Sequence, residues 1–224
     1  MTKADVAAES IRLSFEAKKR QHQACPDFFL SKSGPLTWLH GVPGWYEVDA
    51  FYARDLPPLE VVAAVRATDP HPHHMITVLT GEALPKGGAE EYARLGYGPL
   101  PEAPQPLMSK SLRAEPSLPS AHDIHQGEEG TDTLTYHIVS NGKVACTAKR
   151  VWASPQTIYV FAMETHHQHR RTGMGSALLA RLHADAVNEG VVQSILWSSL
   201  MGRPFYGSFG YSPVVTGHSF IPSE

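Results

Sequence analysis

The sequence is poor in cysteine and lacks long apolar runs. Its 224 residues include two cysteines, Cys25 and Cys146, which lie far apart without the paired spacing of a disulfide framework or a zinc site. No apolar stretch approaches the roughly 20 residues that a membrane helix needs. The first residues lack the apolar core of a signal peptide and indicate an amphipathic helix instead. We therefore predict a protein of the reducing cytoplasm that does not cross a membrane.

An excess of charge of one sign is also absent. The 19 Lys and Arg residues nearly balance the 22 Asp and Glu residues, which gives a formal net charge of -3, and no long basic run occurs. This balance gives no reason to expect a nucleic-acid partner. The hydrophobic share of 42% is ordinary for a globular chain, with room for one large domain or two small ones.

Histidine, by contrast, is abundant. Several of the 13 histidines cluster in HPHHM (71–75) and THHQH (165–169). A structural zinc site needs about four convergent ligands, usually with Cys or carboxylate among them, and neither cluster has the spacing of a helical HExxH motif. We therefore predict that the protein holds no metal. A His-dependent metal hydrolase stays an alternative, which tightly bound zinc would support.

Hydrophobic periodicity predicts alternating helices and strands. Helices are predicted at 5–21, 57–68, within 90–100 and from Met174 to Asn188. Strands are predicted within 34–51, at 74–81 and 103–113, as a hairpin around Asn141-Gly142 at 134–151, and at 157–164 and 191–199. The strand at 157–164 is apolar on both alternating faces, which predicts a central place in its sheet. The polar segment 114–133 lacks periodicity and predicts a surface connection between two domains.

Two segments of the chain, YARLGYGPL (92–100) and YGSFGYSPV (206–214), echo each other. Both place Tyr, an apolar residue, Gly, Tyr, a small residue, Pro and an apolar residue at the same spacing. Both also follow a predicted strand by a similar interval. We interpret the echo as a sign of two related halves.

The sequence HRRTGMG (169–175), the glycine loop, stands between the predicted central strand and the predicted helix from Met174. The first turn of a helix carries N–H groups without intrahelical partners and a partial positive charge, so an anion gains several hydrogen bonds there. Gly173 and Gly175 let a phosphate approach the backbone, and Arg170 and Arg171 add donors suited to phosphate. The pattern predicts a phosphate site, whereas a lone Gly-x-Gly would more simply indicate a turn that binds nothing.

A longer segment around the glycine loop, METHHQHRRTGMGSALLARLHADA, resembles the acyl-CoA-binding motif of the GNAT superfamily of N-acetyltransferases. That motif is Gln/Arg-x-x-Gly-x-Gly/Ala, and Arg170, Gly173 and Gly175 occupy its positions. The segment GRPFYGSFGYSPV (202–214) resembles a second family signature, an apolar-Tyr-x-x-x-Gly-Phe/Tyr run. The resemblance covers residues 133–224 and implies the GNAT fold, an α/β (α+β) arrangement with a mixed, mostly antiparallel central sheet flanked by helices.

The resemblance implies that acetyl-CoA is the cosubstrate and that its acetyl group is transferred directly to a primary amine. The acceptor would be a small molecule or a protein or peptide amine. The pantetheine arm would pair with backbone groups of Met163, Glu164 and Thr165, where the central strand splays from its neighbour. The residues implied for the pyrophosphate end are Arg170, Arg171, Thr172, Gly173, Met174, Gly175 and Ser176.

The resemblance also implies a catalytic acid. Tyr206 stands at the family's tyrosine position and would protonate the leaving thiolate. The base that takes the proton of the amine stays open. Glu164 is the first candidate, the histidines at 166–169 are further candidates because imidazole exchanges protons near neutral pH, and ordered water is a third alternative.

The sequence departs from the family in its N-terminal part. Between Pro119 and Thr133 there is no room for the two helices that follow the first strand in typical members. Residues 1–113 contain no Arg-x-x-Gly-x-Gly, so we interpret them as a degenerate GNAT-like domain that shapes the acceptor pocket beside a catalytic domain at 114–224. A non-catalytic acyl-CoA-binding sensor or scaffold is the alternative to an enzyme. We expect a monomer or homodimer.

Overall fold

The protein forms two compact units in a computed structural model. Unit 1 comprises Met1–Ala24 and Ser109–Leu196, and unit 2 comprises Cys25–Met108 and Trp197–Glu224. The residues that the structure describes are 3–22, 29–33, 36–40, 56–68, 74–81, 83–101, 103–114, 121–129 and 132–223.

Both units contain helices and strands. The elements up to strand β5 are α1 (Lys3–Gln21), β1 (Phe29–Ser33), β2 (Leu36–His40), α2 (Pro58–Thr68), β3 (Ile76–Thr80), α3 (Gly88–Arg94), β4 (Tyr97–Pro99) and β5 (Gln105–Ser111). The remaining elements are β6 (Ile124–Glu129), β7 (Thr133–Ser140), β8 (Lys143–Ser154), β9 (Thr157–Thr165), the 3-10 helix η1 (His167–His169), α4 (Met174–Asn188), β10 (Gln193–Trp197), α5 (Gly202–Ser208) and β11 (Ser212–Pro222).

The sheet of unit 1 has the strand order β10-β9-β8-β7-β6. Strand β10 pairs with β9 in parallel, and the other neighbours are antiparallel. The β7–β8 hairpin turns at Asn141 and Gly142, whose φ angles of 51° and 74° are those of the two-residue turn that matches strand twist. The described strands therefore form the predicted mixed, mostly antiparallel sheet.

Helices α1 and α4 both pack against β8 and β9 in unit 1. Four apolar residues of α4 recur at helical spacing and are fully buried, namely Leu178, Leu179, Leu182 and Ala186. Residues 157–160 of β9 are all buried, so both faces of this half of the strand are covered, as its apolar pattern predicts. Burial decreases from Phe161 onward, where the strand reaches the glycine loop.

Unit 2 is organised around β11, which pairs antiparallel with both β3 and β4. Strands β1 and β2 form a separate antiparallel hairpin. Buried side chains from six elements form the core of this unit: Trp38, Val61, Val62, Val65, Ile76, Val78, Tyr92, Tyr97 and Phe220.

The two echo segments adopt the same local structure, and both lie in unit 2. Each is a short helix, α3 or α5, that ends before a left-handed glycine, with φ of 86° at Gly96 and 84° at Gly210. The residue before that glycine donates its N–H to the carbonyl of the tyrosine three residues back, at 3.1 Å from Tyr92 and at 3.0 Å from Tyr206. A strand follows the glycine in both cases. The two echo segments are thus similar in local structure as well as in sequence.

One prediction is wrong. The polar segment 114–133 is not merely a connection, because it contains strand β6, which pairs with β7 from Ile124 to Glu129. Five of its six residues are exposed, so backbone hydrogen bonds rather than an apolar face hold it. Within 34–51, strand β2 is confirmed, while 34–35, 41–51 and Cys25 lie outside the described residues. Among the described helices, none is long and apolar enough to span a membrane.

The compact units cut across the predicted division at residues 113 and 114. Helix α1 belongs to unit 1 with the glycine loop, and residues 197–224 belong to unit 2. Helix α1, from the N-terminal part of the chain, packs on β8 and β9 of the sheet that carries the glycine loop. The division into a degenerate half at 1–113 and a catalytic half at 114–224 is a statement about common origin and activity rather than about compactness. It therefore stays a prediction.

Candidate active site

The glycine loop connects the end of β9 to the start of α4 in unit 1. Two of its residues are left-handed, Arg171 with φ of 63° and Gly173 with φ of 84°. A left-handed arginine costs about 1–2 kcal/mol, and such strain concentrates at functional sites. When a left-handed residue lies next to residues of ordinary conformation, successive backbone N–H groups point into one concave site, called a nest, that binds anions. The loop therefore has the backbone form that a phosphate site needs.

The first turn of α4 is not capped by a side chain. Gly173 occupies the N-cap position without a side-chain cap, and the first helical hydrogen bond runs from Ala177 N to Gly173 O at 2.9 Å. The N–H groups of Met174, Gly175 and Ser176 precede that bond. Helix N-termini with such N–H groups are where anions bind in proteins.

Hydrogen bonds within the loop fix its course. The hydroxyl of Thr172 donates to His169 O at 2.6 Å, and Arg170 Nε donates to Thr165 O at 3.3 Å. The side chains of Arg170 and Arg171 are exposed, so both cations can reach an anion at the surface. The imidazoles of His166 and His167 lie with ring centroids 4.3 Å apart just before the loop.

One neighbour of the loop, His122, was not identified from the sequence. Its Nε2 lies 3.9 Å from the position of a Cβ built on Gly173. His122 comes just before β6, in the segment interpreted as a connection, and no local pattern marks it. The fold of unit 1 brings it to the glycine loop.

Strand β9 extends well beyond its pairing with β10. The parallel register runs from Gln193↔Thr157 to Ile195↔Tyr159, whereas β9 continues to Thr165. The unpaired part of β9 lies where the resemblance implies a splay. A bulge accompanies it, because Ala162 has φ of 48° and the register with β8 shifts in the same place. Such bulges redirect a strand next to active sites.

The backbone groups near the end of β9 alternate between two edges. His166 N donates to Ala145 O of β8 at 2.9 Å. Because backbone direction alternates along a strand, the N–H and C=O of Glu164 face β8, and those of Thr165 face the opposite edge. Thr165 O accepts the bond from Arg170 at that edge. Of these two residues, Thr165 thus offers its backbone on the open side, while Glu164 presents an exposed carboxylate.

Cys146 pairs with Thr165 across β8 and β9 without the properties of a nucleophile. Its Sγ lies 3.1 Å from Thr165 Oγ1, and the cysteine is buried. Burial raises the pKa of the thiol, which the hydrogen bond to Thr165 only partly offsets. The thiol therefore stays protonated near neutral pH, and we assign it no chemical role.

Tyr206 lies on α5 in unit 2 and is buried, with 9% of its surface exposed. Its ring makes edge contacts with Phe205 and Tyr211, at centroid distances of 5.2 and 5.8 Å. Burial raises the pKa of the phenol to about 12. The hydroxyl is therefore protonated at neutral pH and able to donate a proton or hydrogen bond.

The histidine-rich sequence does not assemble a metal site in the described parts of the chain. No three His, Cys, Asp or Glu side chains among those residues are placed to hold a metal ion. His183, which is buried on α4, has its pKa lowered to about 3 by burial and, to a lesser extent, by Lys110.

Comparison with known proteins agrees with this fold. The family model described as "Acetyltransferase (GNAT) domain" matches residues 153–214, which include β9, the glycine loop, α4, β10 and α5. No curated protein matches the chain.

Several solved structures share the fold at low sequence identity. A GCN5-related N-acetyltransferase from Kribbella flavida has a TM-score of 0.63 and 18% identity, with 96% of each chain covered. A functionally unknown conserved protein from Staphylococcus epidermidis has a TM-score of 0.69 and 10% identity, covering 89% of this chain and 95% of that chain. A tandem GNAT protein from the clavulanic acid biosynthesis pathway has a TM-score of 0.55 and 14% identity, covering 87% of this chain and 83% of that chain.

The chain thus has the GNAT fold that these solved structures share. The family match shows that residues 153–214 are similar to a GNAT acetyltransferase domain.

Proposed function

We propose that the protein is an acetyl-CoA-dependent N-acetyltransferase that acetylates a primary amine of a small molecule or of a peptide. The observation that carries the proposal is the first turn of α4, where N–H groups without a side-chain cap follow the left-handed Arg171 and Gly173. This turn lies within the segment matched by the GNAT family model.

The residues of unit 1 fit acetyl-CoA as a substrate. The N–H groups from Arg171 to Ser176 would bind the pyrophosphate, with Arg170 and Arg171 adding charge-assisted hydrogen bonds. The splayed end of β9 would receive the pantetheine arm. The backbone of Thr165 faces the open edge, so it fits this role better than that of Glu164, and Met163 beside the bulge is a second candidate.

The reaction forms a bond between the amine nitrogen and the acyl carbon and breaks the bond from that carbon to sulfur. The N–H of Thr165, on the open edge of β9, would stabilise the developing oxyanion. Tyr206 would donate its proton to the leaving thiolate, because burial keeps its hydroxyl protonated. The exposed carboxylate of Glu164 is the first candidate for the base, ahead of His166, His167, His169 and ordered water.

We further propose that the chain is a tandem of two related halves, a degenerate one at 1–113 and a catalytic one at 114–224. The support is the shared helix, left-handed glycine and strand of the two echo segments. The first half has a tyrosine at the equivalent position but no glycine-loop motif. Its predicted role is to shape the acceptor pocket.

The replacement Tyr206→Phe tests the catalytic proposal. Loss of the acid should lower kcat by about 100-fold or more, while the affinity for acetyl-CoA measured by calorimetry should stay unchanged. Turnover is followed as free thiol released from acetyl-CoA with a panel of primary amines. Tyr92→Phe is the matched control, because Tyr92 holds the equivalent position in the other echo segment, and it should leave kcat near that of the unmodified protein.

Two results would change the assignment. A protein that binds acetyl-CoA but turns over none of the amines would favour a sensor or scaffold module. A Tyr206→Phe variant with full kcat would remove Tyr206 from the mechanism.

A further inference from the structure

The start of α5 leaves little space around the ring of Tyr206. In a helix, a long side chain points back toward the N-terminus and lies over the residue four positions earlier, which for Tyr206 is Gly202. A Cβ built on Gly202 would lie 3.0 Å from Tyr206 Cε2, which is tighter than nine in ten real Cβ contacts, so a neighbouring group would have to move by a few tenths of an ångström. The ring of Tyr206 therefore lies where it fits against glycine at 202 without any shift, and where a larger residue would press on it.

We propose that Gly202 is a positioning residue for Tyr206, holding the phenol where it can protonate the leaving group. This inference rests on the proposed function. Any larger residue at 202 displaces the ring, and the proton donor with it.

The other side of Gly202 cannot relieve the contact. The same Cβ would lie 3.2 Å from Ser198 Oγ and 3.3 Å from Ser199 Oγ. Both hydroxyls are engaged, since Ser198 Oγ donates to Ser199 O at 2.8 Å and Ser199 Oγ accepts from Gly202 N at 3.1 Å. Ser198 is also buried. A methyl group at 202 is thus confined between these hydrogen-bonded hydroxyls and the ring, so relieving the contact through a shift of the ring leaves the two hydrogen bonds intact.

The other echo segment provides a natural comparison. Gly88 stands four residues before Tyr92, as Gly202 stands before Tyr206. A Cβ on Gly88 would meet Leu84 at 3.7 Å and Pro85 at 3.9 Å, which are ordinary contacts. The ring of Tyr92 instead stacks on Phe220 with centroids 4.2 Å apart. The same spacing thus constrains the tyrosine in α5 and not in α3.

The first experiment compares Gly202→Ala with Gly88→Ala in the full chain. We expect Gly202→Ala to lower kcat by about 10- to 100-fold, because small misplacements of a catalytic group have effects of this size, with the affinity for acetyl-CoA unchanged. Gly88→Ala should keep kcat. In the double variant Gly202→Ala/Tyr206→Phe the losses should not add, since both act through one proton donor. Additive losses, or full kcat in Gly202→Ala, would overturn the inference.

A second experiment needs no activity, so it separates this inference from the proposed function. The titration of Tyr206 is followed by NMR of ring-labelled tyrosine and assigned with Tyr206→Phe. Its pKa of about 12 should fall toward the ordinary value near 10 in Gly202→Ala if the ring moves toward solvent. An unchanged titration would refute the displacement even if the protein acetylated no amine.

If Gly202→Ala fails to fold, stability measurements on the pair decide. Combining Gly202→Ala with Tyr206→Ala removes the ring, so the methyl group at 202 should then cost little and folding should return. A Gly202→Ala variant that stays equally unstable without the ring would show that the contact with Tyr206 is not the cause.

Discussion

Replacing Gly173 by alanine tests the phosphate site, and Gly190 at the other end of α4 provides a matched control. Both glycines are left-handed, with φ of 84° and 86°. A Cβ on Gly173 would meet His122 Nε2 at 3.9 Å, and one on Gly190 would meet no atom within 4 Å. Each replacement should therefore destabilise the fold by a similar amount, about 1–2 kcal/mol, through backbone conformation alone.

The two variants should differ in binding. An alanine at 173 either shifts the loop out of its left-handed form or places a methyl group where a phosphate would approach. Loss of one hydrogen bond to a charged group is worth about 1.5–3 kcal/mol, which corresponds to a roughly 10- to 100-fold weaker affinity. Gly190→Ala leaves the first turn of α4 unchanged and should bind coenzyme A as the unmodified protein does.

The assay is calorimetric titration of each variant with coenzyme A, together with thermal unfolding. Similar losses of thermal stability with weaker binding only in Gly173→Ala would support the site. If Gly173→Ala binds coenzyme A normally, the first turn of α4 does not hold the phosphates. If both variants bind equally weakly, the loss reflects stability rather than the site.

Two further predictions concern buried ionisable side chains in unit 1. The guanidinium of Arg150, which is 1% exposed, pairs with Glu189 at 2.5 Å and donates to the Tyr136 hydroxyl at 3.2 Å. Because Glu189→Gln removes the counter-charge of this buried cation, it should lower the free energy of unfolding measured in urea by about 2 kcal/mol. The exposed pair of Arg12 with Glu9 is the control, and Glu9→Gln should cost about 0.5 kcal/mol or less; equal costs would contradict the reasoning. Burial lowers the pKa of His183 to about 3. The neutral imidazole therefore contributes its full stabilisation above the unfolded pKa of about 6.5, and this contribution is lost as the pH falls toward 3. By pH 5 the loss should be about 2 kcal/mol. His183→Leu should show a correspondingly smaller loss between pH 7 and pH 5, and an equal loss in both proteins would refute the assignment.

The parts of the fold that were predicted from the sequence are those whose signals are local. Asn141-Gly142 fixes a hairpin through its own backbone preferences, and the apolar stripe of α4 identifies that helix and its buried face. Strand β6 was missed because its pairing with β7 uses backbone groups while its side chains stay exposed. The position of α1 was equally hidden, because an amphipathic helix does not specify which sheet its apolar face will cover.

The candidate site divides in the same way. The glycine loop was recognised because glycine and arginine carry its chemistry directly. The bulge at Ala162 has no such signal, since alanine rarely adopts a φ of 48° and only the register with β8 imposes it. His122 reaches the glycine loop through the path of the chain and not through its own neighbours in sequence.

The two echo segments show why a motif alone does not define a role. Gly88 and Gly202 stand at the same spacing before a buried tyrosine, and both helices end at a left-handed glycine. The surroundings differ: Phe220 offers a flat partner on which Tyr92 stacks, while Tyr206 has edge contacts and the bare Cα of Gly202. A tyrosine held by stacking is a core residue, and one held over a glycine keeps its hydroxyl in a position that a single methyl group can change. Local sequence therefore sets the helix and its glycine, whereas the packing around the ring distinguishes Tyr206, the proposed acid, from Tyr92.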